Sequence, residues 1–194
     1  MRGGGEDRGF VVSRPDFSER RVSGETVFCG RIVRVDSDEV VLPDGGTATR
    51  EAVRHPGAAV IVPLADSETV VLAWQYRYPL GRHLLEFPAG KLNSGEDPRR
   101  AAARELLEET GYRARRWSHI LTAETSPGFC DERAFIYLAR DLEYEGHPGE
   151  EGEFVAAEKT PISRAMQMLS DGEITDAKTI IGLLWLQNFP QKTA

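Results

Sequence analysis

Glu105, Glu108 and Glu109 are the side chains best spaced in this sequence to do chemistry together. They fall in a segment, about 98 to 110, that reads as a helix: Asp97 suits the N-cap, Pro98 the first helical position and Gly111 the residue just past the end. On a helix the i, i+3 and i+4 spacings bring all three carboxylates onto one face. Like charges at that spacing repel by a few tenths of a kcal/mol per pair, so something of opposite charge should offset them. A hard divalent cation would do so, because Mg²⁺ and Mn²⁺ take oxygen ligands and are shared between carboxylates and substrate phosphates. The plain alternative is a solvated acidic helix face.

The wider register weighs against that alternative. Gly90, Glu96, Arg104, Glu105, Leu106, Glu108, Glu109, Gly111 and Tyr112 follow one spacing: glycine, five residues, glutamate, seven residues, then Arg-Glu-aliphatic-any-Glu-Glu-any-Gly-aliphatic. This resembles the Nudix box position for position, with an aromatic Tyr112 as the departure. The resemblance implies a metal-dependent hydrolase that cuts a nucleoside diphosphate linked to another group. It implies that Glu105, Glu108, Glu109 and the main-chain carbonyl of Ala89 hold Mg²⁺, or Mn²⁺ in its place, with Glu108 among the catalytic groups. Glu96 and Arg104 become a structural bridge, Gly90 lets the backbone pass close to the metal, and Gly111 ends the helix.

Segments outside the box narrow the resemblance. A proline, Pro127, stands sixteen positions after Gly111, and QYRYP at 75 to 79, LEFPAG at 85 to 90 and GEITDAKTIIGLLWLQ at 172 to 187 surround it. Together they resemble the ADP-ribose pyrophosphatase branch over about Thr26 to Phe189. In that branch a residue matching Arg77 contacts the pyrophosphate, and one matching Arg50 in TREAVRH comes from the partner subunit of a homodimer with exchanged N-terminal strands. Guanidinium groups suit both roles because they offer paired donors to phosphate oxygens. The general base is implied in the loop GHPGEEGEF at 146 to 154, with Glu151 as base and Glu153 as an additional ligand or substitute. His147 in the same loop reads as incidental. The implied reaction converts ADP-ribose to AMP and ribose 5-phosphate. Another sugar nucleotide, such as GDP-mannose or UDP-glucose, is the alternative within the class. An ADP-ribose-sensing binding protein is the alternative outside it, and the complete set of box glutamates speaks against that.

These residues need a scaffold, and 194 residues suffice for one domain with a substantial core. Strand-like runs occupy roughly 25 to 35, 38 to 42, 46 to 54, 58 to 64 and 69 to 76, separated by turn signals at 37 to 39, 43 to 46 and 65 to 68. The run AAVIVPL at 58 to 64 reads as a central strand buried on both faces. Further strands are expected near 115 to 123 and 133 to 139, then a polar stretch from Asp141 to Glu153 followed by a short strand. Helices are expected at 163 to 169 and 177 to 187. The order predicts an α/β/α sandwich with a mixed sheet, preceded by N-terminal strands. We divide it into a mobile tail at 1 to 24, dimerising strands at 25 to 57 and a hydrolase domain at 58 to 194.

The net charge of -7 and pI near 5.2 argue against a nucleic-acid surface. No apolar run approaches the ~20 residues a membrane helix requires, and the glycine-rich, charged start lacks the apolar stretch of a secretory signal, so cytoplasm is the expected location. Cys29 and Cys130 have neither disulfide nor zinc spacing and read as small hydrophobes.

Overall fold

A computed structural model describes residues 14–146 and 154–190. Ten strands and three helices follow one another as β1 (Arg20–Cys29), β2 (Arg34–Val41), β3 (Thr47–Arg54), β4 (Ala58–Pro63), β5 (Thr69–Arg77), β6 (Arg82–Glu86), β7 (Ala89–Lys91), α1 (Pro98–Thr110), β8 (Tyr112–Glu124), β9 (Arg133–Tyr144), β10 (Val155–Pro161), α2 (Ile162–Ser170) and α3 (Ala177–Asn188). They form three sheets, ordered β1-β2-β3, β10-β5-β6 and β7-β4-β9-β8.

The central sheet is mixed: β4 runs parallel to β9, while β7 and β8 pair antiparallel at its edges. Every residue of β4 is buried, as expected of a strand covered on both faces. Its side chains divide by the two-residue period of a strand. Val60 and Val62 join Ile136 and Leu138 of β9, Leu72 of β5 and Leu183 of α3 in one apolar cluster. Ala59 and Ile61 face the other way, onto Ala101, Ala102 and Leu106 of α1. The sheet thus lies between α1 on one side and α2, α3 and the second sheet on the other, which is the predicted sandwich.

Helix α1 begins and ends where the sequence places it. Asp97 accepts from the backbone N–H groups of Arg99 and Arg100, and Gly111 closes the helix at φ 73°, its N–H bonded to the Leu107 carbonyl. A side chain at Gly111 would also strike the backbone of Gly146, 2.8 Å from the added carbon.

Four sequence expectations need correction. The first strand starts at Arg20 rather than near 25, so part of the supposed tail is strand, paired to β2 through Arg20↔Val41. All ten residues of β1 are exposed, so no apolar alternation marks it; cross-strand pairing defines it instead. The triplet at 37 to 39 lies inside β2 rather than in a turn. Asp36 and Asp38 are buried there and neutralised by Arg21, Arg34 and Arg54. The polar stretch from Asp141 begins as strand, because Asp141, Glu143 and Glu145 pair across the hairpin with Arg116, Arg115 and Arg113. Strands β6 and β7 were not anticipated, and the free Cys29 is exposed rather than packed as a hydrophobe.

Candidate active site

The loop from β6 to β7 meets the carboxylate face of α1. Glu105 and Glu109 are 6% and 5% exposed, uncommon values for carboxylates, whereas Glu108 is half-buried. Glu109 accepts from the backbone N–H of Ala89 at 3.0 Å, and Ala89 is held in register by pairing with Val60 of β4. Gly90 is required by close approach. An added Cβ would lie 1.9 Å from the Glu105 carboxyl carbon.

Arg104 ties the loop to the helix. Its guanidinium donates to both oxygens of Glu96 at 3.2 and 3.1 Å, to Glu105 at 2.6 Å, to Glu108 at 3.0 Å and to the carbonyl of Lys91 at 3.3 Å. The bonds to Arg104 outweigh desolvation and hold the Glu96 carboxyl below its ordinary range. Charge repulsion on the helix face is therefore offset in part by an arginine on the same helix. Among the described residues no three His, Cys, Asp or Glu side chains converge as a ready-made metal cage. The donor set still suits a hard cation: it is all oxygen, it lies at the wall of a polar cavity, and Gly90 keeps clear the space beside Glu105.

That cavity has a volume of about 610 Å³. Glu105, Glu108 and Glu109 line one part of it, and Arg77 of β5 and Lys178 of α3 line another. Arg77 donates from Nε and Nη2 to the two oxygens of buried Glu86, each at 2.8 Å. A smaller groove of about 410 Å³, between the start of α2 and the end of α3, is lined by Pro161, Ile162 and Leu186 and, among the described residues, has Glu68 as its one ionisable group. The lining residues described there include no cation, whereas Arg77 and Lys178 line the larger cavity beside the carboxylates, so phosphate chemistry fits the larger cavity better.

A family model described as the NUDIX domain matches residues 53–181. This chain belongs to the NUDIX family. It is 40% identical over 173 residues to a methanol dehydrogenase activator of Bacillus methanolicus, covering 88% of this chain and 94% of that protein. It is 37% identical over 171 residues to an ADP-ribose pyrophosphatase of Bacillus subtilis, covering 87% and 92%. The crystal structure of an ADP compounds hydrolase superposes with a TM-score of 0.81 over 94% of this chain and 99% of that one, at 24% identity, and so shares the fold.

Within this Nudix chain the anticipated residues separate into four groups. Ala89, Gly90, Arg104, Glu105, Glu108, Glu109 and Arg77 meet at one cavity, with Glu96 and Gly111 behind them. Pro127 lines an adjoining cavity of about 500 Å³, which shares His55 with the first. Arg50 is not at the cavity of its own chain; it is exposed on β3 and donates to Glu19 at 2.9 and 2.7 Å. Glu151, Glu153 and His147 lie outside the described residues.

The cavity also contains residues the motifs did not single out, among them His55, Gln75, Glu132 and Lys178. His55 Nδ1 accepts from the Gly57 N–H at 3.1 Å and lies 3.4 Å from Glu132. Lys178 lies in the segment GEITDAKTIIGLLWLQ, quoted above for its resemblance but given no role there; in the structure it follows the N-cap of α3, where Asp176 accepts from Thr179 N–H.

Proposed function

We propose that this Nudix hydrolase cleaves the pyrophosphate of ADP-ribose, giving AMP and ribose 5-phosphate, with Mg²⁺ or Mn²⁺ held by Glu105, Glu108, Glu109 and the Ala89 carbonyl. The observation that carries the reading is the carboxylate face of α1 opening, together with Arg77, onto one cavity. The high identity to an ADP-ribose pyrophosphatase over most of both chains supports the substrate class.

When bound, divalent cations in such a site neutralise phosphoryl oxygens and acidify water. The chain supplies position and charge. Arg77, oriented by its two bonds to Glu86, presents its remaining donors to the phosphates. Arg104 keeps the loop against the helix rather than touching substrate. We assign proton acceptance from the attacking water to Glu151, with Glu153 as its neighbour in the role. What supports this is the position of the described residues on either side of them. Gly146 abuts Gly111 at the end of the carboxylate helix, and Val155 pairs with Gln75, which lines the cavity.

We further propose a homodimer in which Arg50 serves the partner's cavity. Val22, Val27, Phe28 and Ile32 of the N-terminal sheet and its hairpin turn are each more than half exposed, an apolar surface that a second copy would cover. Glu19 holds Arg50 outside its own cavity, in keeping with a role across an interface.

A panel of nucleoside diphosphate sugars with Mg²⁺ tests the substrate assignment. ADP-ribose should give the highest kcat/KM, and a preference for GDP-mannose would replace it while leaving the carboxylate face in place. Nucleotide binding without turnover would favour the sensing protein.

A further inference from the structure

Among the described residues, Arg77, Lys91, Arg104 and Lys178 are the Lys and Arg side chains that line the main cavity. Their attachments differ. Arg104 is spent on Glu96, Glu105 and Glu108, Arg77 has two of its donors on Glu86, and Lys91 is exposed at the rim. Lys178 enters from α3, on the far side of the sheet from α1, and its side chain is 22% exposed. Its Nζ donates to Asp176 Oδ1 at 2.5 Å, which uses one of its three N–H donors.

Asp176 is fixed from several directions. Its other oxygen accepts from the Thr179 N–H at 2.9 Å and hydroxyl at 2.8 Å, and the Thr179 hydroxyl accepts from the backbone N–H of Phe87 at 2.8 Å. Phe87 lies in the short loop that leads into β7, which carries Ala89 and Gly90. The ammonium of Lys178 and the carboxylates of α1 are therefore referenced to the same short piece of backbone. Burial raises the Asp176 pKa, but the charge and bond of Lys178 and the bonds from Thr179 outweigh it, so the carboxyl stays below its ordinary range. A lysine so held loses little freedom on meeting a ligand.

We propose that Lys178 binds a non-bridging phosphate oxygen of the nucleoside diphosphate, and that Asp176 is the positioning residue that aims it. The proposal rests on the hydrolase reading above and adds a phosphate contact independent of the glutamates. Such a contact acts on substrate and transition state alike, so its loss appears in KM more than in kcat.

The test is steady-state kinetics on ADP-ribose with Mg²⁺ for the wild type, Lys178→Met, Lys178→Arg and Asp176→Asn, with the melting temperature of each. Lys178→Met should raise KM about 10- to 100-fold, the range of one charge-assisted bond, with kcat within about threefold. Lys178→Arg should recover part of the loss, and Asp176→Asn should raise KM less than Lys178→Met does. A KM within about threefold of wild type for Lys178→Met would overturn the proposal, as would a fall in melting temperature with KM unchanged. Should Lys178→Met not fold, Lys178→Gln is read in the same way. A wild-type protein that turns over no sugar nucleotide would contradict the hydrolase reading instead. Equilibrium binding of ADP-ribose to wild type and Lys178→Met would then decide on the lysine: about tenfold weaker binding supports it and equal binding overturns it.

Discussion

At the scale of single residues, two carboxylates and one glycine carry most of the account. Glu109 accepts from Ala89, and a glutamine there keeps an oxygen for that bond while losing the charge. Glu109→Gln should therefore fold with an unchanged circular dichroism spectrum and lose at least about a hundredfold in kcat, the order expected on removing a group that stabilises transition-state charge. Near-normal turnover in Mg²⁺ would contradict the assignment. Gly90→Ala puts a methyl group 1.9 Å from the Glu105 carboxyl carbon. Glu105 must turn away, so activity should collapse while the melting temperature moves little; a crystal structure with Glu105 undisplaced would refute this. The glutamates were legible in the sequence because the i, i+3 and i+4 spacing puts carboxylates on one helix face, and Gly90 because it stands in the register of the motif. Lys178 was not legible as a cavity residue, since its place depends on α3 packing across the sheet.

The elements show where local patterning suffices and where it does not. Helix α1 was readable to its end residues because its caps are local: Asp97 on two N–H groups, Gly111 at positive φ. Asp97→Ala should cost about 1 kcal/mol, measured by urea unfolding. Strand β1 was readable only in part, because it exposes every residue and is defined by its partner strand. The polar network beneath it has a pH signature. The Thr26 hydroxyl bond, then Arg54 and Arg34, outweigh burial and lower the Asp36 pKa from 3.8 to about 2. A depressed carboxyl contributes stability that is complete above the unfolded value and lost as pH falls through the folded one. Stability should therefore decline between about pH 4 and pH 2, and Asp36→Asn should flatten that slope in acid unfolding monitored by fluorescence. An unchanged slope in the variant would remove Asp36 from the explanation.

For the whole molecule, the sandwich fold followed from the order of strands and helices, but the assembly did not. Arg50 lies outside the cavity of its own chain, so its placement becomes a question about two chains. Light scattering should give twice the 21.5 kDa chain mass. Mixing Arg50→Ala with Glu109→Gln, each poorly active, should restore up to about a quarter of wild-type activity, because half of randomly mixed dimers contain one site with both residues intact. No recovery would return Arg50 to a structural role.

The central claim is that the carboxylate face of α1 and the cations opposite it hydrolyse the pyrophosphate of ADP-ribose. Product analysis of wild-type protein with ADP-ribose, with and without Mg²⁺, tests it most directly. Equal amounts of AMP and ribose 5-phosphate, formed only with the cation and not by Glu109→Gln, are the predicted result. Intact ADP-ribose in the presence of Mg²⁺, or equal cleavage by the variant, would contradict it.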